Sequence, residues 1–417
     1  MDRITTDSRS LVEGDIFLAL KGNSFDGNEY VEQALNKKAE FVIADNTTFK
    51  DNRIIVVPNS YIFLIDLARH HRKKLQTKVI AITGTNGKTT TKELVYHIFK
   101  NKYKTLATFG NFNNHIGVPL TLLKLKPRHE FLILEMGANR IGDIAELCHI
   151  AEPDSGIITN IGKAHLQGFG NLEGVLKAKT ELFDYLQIEN KPIFYNFNST
   201  TLVSRIKSYS NYISYGNTGI HADYEYQLVK ELPTIELCET TNIVLTSFHS
   251  KLFGIHNYEN IIAAITIAHH FKIENELIQD GLDSYQANNM RSQIVNYNHN
   301  IIILDAYNAN PSSMQVSIES FIHFEDQFKW LILGAMAELG EQQDSEHQLL
   351  VNQILNKNFE KIILVGAEFE FAKPLKGVLW FDHVESCKIW LDQNMPEGKL
   401  ILIKGSRSIG LEKLVIN

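Results

Sequence analysis

Lys78-Val79-Ile80-Ala81-Ile82-Thr83-Gly84-Thr85-Asn86-Gly87-Lys88-Thr89-Thr90 is the stretch on which the fold turns. Its first half is a continuous apolar run without polar alternation, the pattern of a strand buried on both faces. Its second half is a glycine-rich turn that opens a helix from about Thr89. Backbone amides in such a turn, at the positive end of a helix, surround anionic oxygens. A plain strand–turn–helix link has no structural need for a lysine at the helix start. Lys88 therefore reads as a contact to terminal phosphates, and the Thr89 hydroxyl as a holder of Mg²⁺. The general pattern G-x-x-x-x-G-K-[ST] asks for glycine at position 82, where Ile82 stands. The first glycine comes at Gly84, so the loop is a variant.

Outward from this loop the alternation of strand and helix continues. Strands are predicted at 131–135, 156–159 and 193–196, with helical segments between several of them, which gives a mainly parallel sheet covered by helices. Residues 210–250 are richer in Tyr, Thr and alternating residues and predict an antiparallel flap. A buried helix is expected over 260–271. The last third restarts with strands at 301–304, 330–333, 362–365 and 400–403, and helices near 312–323, 345–356, 383–393 and 408–415. Before the loop, residues 1–77 form a small α/β unit with strands at 15–20, 41–44 and 54–57, closed by a helix over 62–75. The reading is α/β in three domains. Residues 1–77 are a small N-terminal unit, 78–292 a central P-loop ATPase-type parallel sheet with helices on both faces, and 293–417 a C-terminal Rossmann-like unit.

Composition narrows the function classes. The 417 residues carry 41 Lys and Arg against 48 Asp and Glu, a net charge of -7 that argues against a nucleic-acid protein. The three cysteines, Cys148, Cys238 and Cys387, are far apart and show no C-x-x-C spacing, which fits a reducing compartment. There is no apolar signal core after Met1, and no run near the roughly 18 apolar residues that span a membrane. A cytoplasmic protein, not membrane-spanning, is the expectation.

Further candidate residues sit at strand ends, which face the ligand crevice in such sheets. Glu135 ends an apolar strand, and a carboxylate there suits Mg²⁺, which prefers oxygen ligands. His165 follows Asn160-Ile161-Gly162-Lys163-Ala164 after the next strand. Asn111, Asn113 and Asn114 form a dense amide cluster that can fix a polar ligand through paired donors and acceptors. Asn260 can cap the helix it precedes, or, with Asn257, face a base. Asp305 follows the first strand of the last unit. Lys404-Gly405-Ser406-Arg407-Ser408 follows the last strand and opens a helix, a second anion site. Lys179, read by itself, is a solvated lysine on an amphipathic helix.

Taken together the motifs resemble the Mur ligase family over essentially the whole chain. The T-G-T-N-G-K-T-T of that family's central domain is read again at 83–90. The segments Asn111-Phe112-Asn113-Asn114-His115-Ile116-Gly117-Val118-Pro119, Ala164-His165-Leu166-Gln167-Gly168-Phe169-Gly170, Asp305-Ala306-Tyr307-Asn308-Ala309-Asn310-Pro311, Gly334-Ala335-Met336-Ala337-Glu338-Leu339-Gly340 and 404–408 place it among members that add a dipeptide. No D-N-P-R signature of the third-residue-adding relatives follows Gly340. The resemblance implies ATP and Mg²⁺ as cofactors, and UDP-N-acetylmuramoyl-tripeptide and D-alanyl-D-alanine as partners, joined through an acyl phosphate by a monomer. It implies that Gly84, Thr85, Asn86, Gly87, Lys88, Thr89 and Thr90 hold the nucleotide with Asn257, Asn260, Arg291 and Asp305. It implies Mg²⁺ on Thr89, Glu135 and His165, and on Lys179 if that lysine is carbamylated. Lys88, Glu135, His165 and Lys179 would be the catalytic set. Substrate contacts fall on Ser8 and Arg9 of the UDP-sugar unit, on Asn111, Asn113 and Asn114, and on Lys404, Ser406 and Arg407 for the dipeptide carboxylate. Three departures stand out: the chain starts almost at Thr6-Asp7-Ser8-Arg9, Asn289-Met290 replaces a proline and glycine before Arg291, and His115 replaces an aspartate. A folylpolyglutamate synthase, or a P-loop ATPase without ligase activity, is the rival reading.

Overall fold

Three β-sheets follow one another along the chain. The computed structural model describes residues 3–22, 24–206, 208–241, 245–287, 290–324 and 328–415. The first sheet is parallel throughout and ordered β1 (Ile4–Thr5), β2 (Ile16–Leu18), β3 (Phe41–Ala44), β4 (Ile54–Val56). Helix α1 (Val31–Asn36) covers one face with Leu11, Phe17 and Val42. Helix α2 (Ser60–Lys73) covers the other. Its N-cap Asn59 accepts from the Ile62 amide, and its last turn is basic, as the helix dipole favours.

The central sheet has nine strands in the order β13-β12-β11-β10-β9-β8-β5-β7-β6. Its core strands are β5 (Lys78–Thr83), β6 (Thr105–Ala107), β7 (Phe131–Glu135), β8 (Ser155–Ile158) and β9 (Ile193–Asn196), all parallel. On one face lie α4 (Gly117–Leu123), α5 (Asp143–Ala151) and α7 (Leu172–Ile188), preceded by the single turn α6 (Leu166–Phe169). On the other lie α3 (Lys88–Phe99), α9 (Ile255–His270) and α10 (Asn275–Ser284). The short α8 (Thr200–Ile206) follows β9. Helix α2 packs Leu64 and Ala68 into the same core as Val118 and Leu122 of α4. Its buried Arg72 reaches Asp154 at 2.9 Å, tying the first sheet to the second.

The expected flap is corrected. β10 (Tyr212–Asn217), β11 (Tyr224–Lys230), β12 (Ile235–Glu239) and β13 (Thr246–Ser250) extend the central sheet, and β10 pairs in parallel with both β9 and β11. Only β11, β12 and β13 run antiparallel. Period-two patterning reports one-sided burial, not the direction of the neighbouring strand.

The third sheet is ordered β14-β15-β19-β16-β17-β18. It comprises β14 (Gln293–Tyr297), β15 (Asn300–Asp305), β16 (Lys329–Gly334), β17 (Lys361–Val365), β18 (Val378–Phe381) and β19 (Leu400–Lys404). Helices α11 (Pro311–Ile322) and α12 (Gln343–Leu355) cover one face and α13 (Val384–Asn394) the other. The four central strands are those expected. The edge strands β14 and β18 were not: β14 mixes polar and apolar residues, and β18 is a four-residue apolar run too short to stand out by itself. The expected helix over 408–415 is one 3₁₀ turn, Leu411–Leu414, entered through Gly410 at φ 72°. Asn289 of the junction sequence lies outside the described residues. No helix among them is long and apolar enough to cross a membrane.

Gly281 shows how tightly the central helices pack: a Cβ there would lie 2.5 Å from the Ile98 Cα, across the α10–α3 contact. Alanine gains about 1 kcal/mol in helix propensity, but overpacking against backbone costs about 1–3 kcal/mol. Gly281→Ala is expected to lower the urea midpoint, and a raised midpoint would show that the contact yields.

Candidate active site

Glycine is required twice in the phosphate loop. Gly84 (φ 141°) and Gly87 (φ 78°) adopt left-handed or extended positive-φ backbone that side chains avoid. Added Cβ atoms would also meet Thr159 Oγ1 at 2.0 Å and Asn260 Oδ1 at 2.3 Å. The loop after β8 braces it: Thr159 Oγ1 donates to the Asn86 carbonyl at 2.6 Å, and the Asn86 amide donates to Asn160 Oδ1 at 3.0 Å. Lys88 begins α3 and its amine donates to the Gly84 and Thr85 carbonyls, each at 2.8 Å. Burial of that amine, opposed by Glu135 and aided by Arg291, lowers its pKa to about 8.

Asn260 does not take the capping role that was one of its two expected uses. Helix α9 starts earlier, at Ile255, with Gly254 as N-cap and no side-chain cap. The amides of Asn257 and Asn260 are both buried. Asn260 Nδ2 donates to Asn257 Oδ1 at 3.2 Å, and Asn260 Oδ1 accepts from Thr91 Oγ1 at 3.1 Å. They pin the start of α3 beneath the loop.

Glu135 and His165 leave the carboxyl ends of β7 and β8, the two strands that flank β5. They therefore stand on either side of the loop. Glu135 is buried, not a solvated strand end. Its Oε1 accepts from Asn113 Nδ2 at 2.7 Å, and its Oε2 is buried without a hydrogen-bond partner. Asn111 is exposed, and Asn114 serves its own turn by accepting from the Gly117 amide at 2.9 Å. His165 pairs through Nδ1 with Glu338 of the third sheet's unit.

Lys179 overturns the bare reading of a solvated helix face: it is 2% exposed. Its amine sits 5.5 Å over the Phe169 ring and 3.4 Å from the Ala138 carbonyl. Burial first, and Lys88 second, hold its pKa well below the ordinary lysine range. The burial follows from where α7 lies, against α5 and α6, which sequence periodicity alone does not reveal.

These residues fit a Mg²⁺ ion. The Glu135 carboxylate keeps one buried oxygen without a hydrogen-bond partner, and Thr89 stands in the first turn of α3, next to Lys88. Among the described residues no three His, Cys, Asp or Glu side chains converge as a ready metal cage. That suits a cation which keeps waters and takes its remaining ligands from substrate phosphates.

The third unit closes the site from above. Asp305 is pulled upward by burial but held below the usual carboxylate range by Lys404, which lies 2.5 Å away. Lys404 is thus buried and paired with Asp305, and the helix expected to open after it is corrected, since the 3₁₀ turn Leu411–Leu414 follows instead. Ser406 Oγ accepts from the Ala337 amide at 2.8 Å. The Arg407 side chain is 56% exposed, with Nη1 donating to Met290 Sδ at 3.0 Å and lying 3.4 Å from Glu412. Arg291 stacks over Tyr307 at 3.8 Å. In the first unit Ser8 is buried, and the guanidinium of Arg9 pairs with Asp7 at 2.8 Å in the open.

Several partners escaped sequence reading. Asn310 caps α11 and donates from Nδ2 to Asn86 Oδ1 at 2.9 Å, so the third unit touches the phosphate loop directly. Ser312 Oγ accepts from the Lys163 amide at 2.8 Å, and Lys163 Nζ reaches the nearly buried Glu346 at 2.7 Å. Asn310 and Lys163 stand in segments quoted above for other residues, and Ser312 and Glu346, inside α11 and α12, gave no signal.

Fold and loop together define a nucleotide-dependent enzyme of the P-loop kind, built on a central sheet and a Rossmann-like unit. Residues 82–268 match the Mur ligase middle domain, 290–407 the Mur ligase glutamate ligase domain, and 1–71 the Mur ligase family catalytic domain. The chain belongs to the Mur ligase family. It is 33% identical to the UDP-N-acetylmuramoyl-tripeptide--D-alanyl-D-alanine ligase of Bacillus subtilis, over 99% of this chain and 92% of that one. With the ligase of the same name from Escherichia coli it shares 30% identity, over 100% and 93%. Among solved structures it is similar to a MurF from Acinetobacter baumannii, with a TM-score of 0.89 at 30% identity, covering 99% of this chain and 92% of that one. It is also similar to the MurF ligase of Thermotoga maritima in complex with ADP, with a TM-score of 0.87 at 30% identity, covering 99% and 96%.

The depressed Lys88 pKa makes a signed prediction. Between about 8 and the ordinary 10.5 the folded protein binds fewer protons here than the unfolded chain, so this group's contribution to stability rises with pH across that window. Its cost is fully present below pH 8. Lys88→Met should raise the thermal midpoint of the ligand-free protein at pH 7, lose that advantage as pH rises through the window, and abolish stabilisation by added ATP. A mutant that ATP still stabilises fully would remove Lys88 from the phosphate site.

Proposed function

We propose that the chain joins D-alanyl-D-alanine to UDP-N-acetylmuramoyl-tripeptide at the expense of ATP, in the assembly of peptidoglycan precursor. The observation that carries this reading is Lys88 in its phosphate loop beside Glu135, whose Oε2 is buried and unpartnered. The tripeptide carboxylate attacks the γ-phosphate of ATP, giving an acyl phosphate and ADP. The dipeptide amine then attacks the acyl carbon, and a tetrahedral intermediate expels phosphate. Lys88 neutralises charge on the transferring phosphoryl group, and the two domains hold the reactants in line. Thr89, Glu135, His165 and a carbamylated Lys179 would hold Mg²⁺, which when bound supplies charge neutralisation.

The division of labour follows the three sheets: residues 1–77 for the UDP-sugar, with Ser8 and Arg9; 78–292 for ATP and the peptide carboxylate; 293–417 for the amine. One chain supplies every group named, so a monomer suffices. Three free thiols and ATP-dependent chemistry suit the cytoplasm.

Lys179 fits carbamylation, because burial lowers the pKa of its amine and so favours the neutral, nucleophilic form. A crystal of the nucleotide–Mg²⁺ complex should show extra density on Nζ facing the metal. A bare amine there would end this assignment.

With Lys404 committed to Asp305, the acceptor carboxylate falls to Arg407. Phosphate release with UDP-muramoyl tripeptide should require D-alanyl-D-alanine and run poorly with single amino acids. Arg407→Ala should raise the KM for the dipeptide by roughly tenfold or more, the worth of a charged hydrogen bond, while the UDP-peptide KM stays near wild type. Preference for a single amino acid on a UDP-muramoyl dipeptide would overturn the substrate assignment and leave the ligase chemistry standing.

A further inference from the structure

His165 and Glu338 meet across the junction of the second and third units. The His165 Nδ1 faces the Glu338 carboxylate, and the Glu338 carbonyl accepts from the Gln167 amide at 3.2 Å. Both are non-glycine residues in left-handed backbone, His165 at φ 50° and Glu338 at φ 61°. Such conformations cost free energy and persist where surrounding structure and use over-determine them. Glu338 stands in the Gly334–Gly340 segment, and no step of the proposed reaction employs it.

We propose that Glu338 is the positioning residue for His165: by holding Nδ1 as an N–H donor it fixes the tautomer that leaves Nε2 as a lone pair facing the metal side. An imidazole that binds a metal ordinarily donates its other N–H to a carboxylate or carbonyl, which sets both ring orientation and basicity. Here that carboxylate comes from a different unit of the fold. Docking of the third unit therefore completes a ligand belonging to the second, so divalent-cation affinity and domain docking are coupled. Lys163–Glu346 and Asn86–Asn310 also join the second and third units. The proposal rests on the reading of His165 as a metal-facing residue.

The test measures Mn²⁺ binding by electron paramagnetic resonance on the full chain saturated with ADP, without turnover. Glu338→Ala is expected to weaken Mn²⁺ by about ten- to hundredfold. Glu338→Gln, whose amide oxygen accepts the same N–H, should restore affinity to within a few-fold. Glu338→Asn tolerates positive φ and lacks the reach, so it should behave as the alanine variant even if the latter folds poorly. Nitrogen-15 NMR of His165 should show a single tautomer in the wild type and a mixture in Glu338→Ala. Wild-type Mn²⁺ affinity in both Glu338→Ala and Glu338→Asn overturns the proposal. His165→Ala separates the two levels: if it weakens Mn²⁺ while the Glu338 variants do not, only the clasp fails. If it too binds Mn²⁺ as wild type, the metal role of His165 fails with it.

Discussion

The absence of room at Gly87 is the constraint on which the rest of the structure depends. Any side chain there would run into the Asn260 amide at 2.3 Å. That closeness is what lets α9 brace the start of α3 through Thr91 and Asn260. On the opposite flank Gly84 leaves the same kind of gap for Thr159. A loop pinned from two sides presents its amides and Lys88 in fixed positions, so little reorganisation remains when phosphate arrives. The cost is a desolvated lysine, visible in its lowered pKa. A binding site that stores unfavourable charge in this way is stabilised by its ligand.

From that loop the chemistry spreads along the carboxyl edge of one parallel sheet. β7 delivers Glu135 and β8 delivers the strip 159–167, one on each side of β5. The strip does two jobs. Its first residues brace the phosphate loop, and Lys163, His165 and Gln167 receive the third unit. Nucleotide site and domain contact thus share one segment, and a change in either is felt by the other without any long relay. The polar, partly exposed character of these contacts suits an interface that opens and closes more than a permanent one.

The buried pair Asp305–Lys404 shows how the third unit keeps its own edge in order. The two residues end adjacent parallel strands in register, and each removes the other's charge from an apolar setting. Removal of either partner would leave a buried ion uncompensated. Arg407, three residues on, stays in the open.

The phosphate loop, the parallel sheets and the order of strand and helix were legible in the sequence, because each is written in local pattern: a continuous apolar run, a positive-φ glycine, a lysine with no other reason to be there. Residues 83–90 needed no partner to be understood. Lys179 shows the opposite case. Its neighbours in sequence describe an amphipathic helix, and only the packing of α7 against α5 and α6 puts that amine in the interior. The direction of β10, the commitment of Lys404 and the second use of Asn260 were equally closed to a linear reading. So were the contacts Asn86–Asn310 and His165–Glu338, which join residues far apart in the chain. Local periodicity records how much of a side chain faces water. Which group it meets there is settled by the tertiary structure alone, because desolvation and pairing depend on what the fold brings from elsewhere.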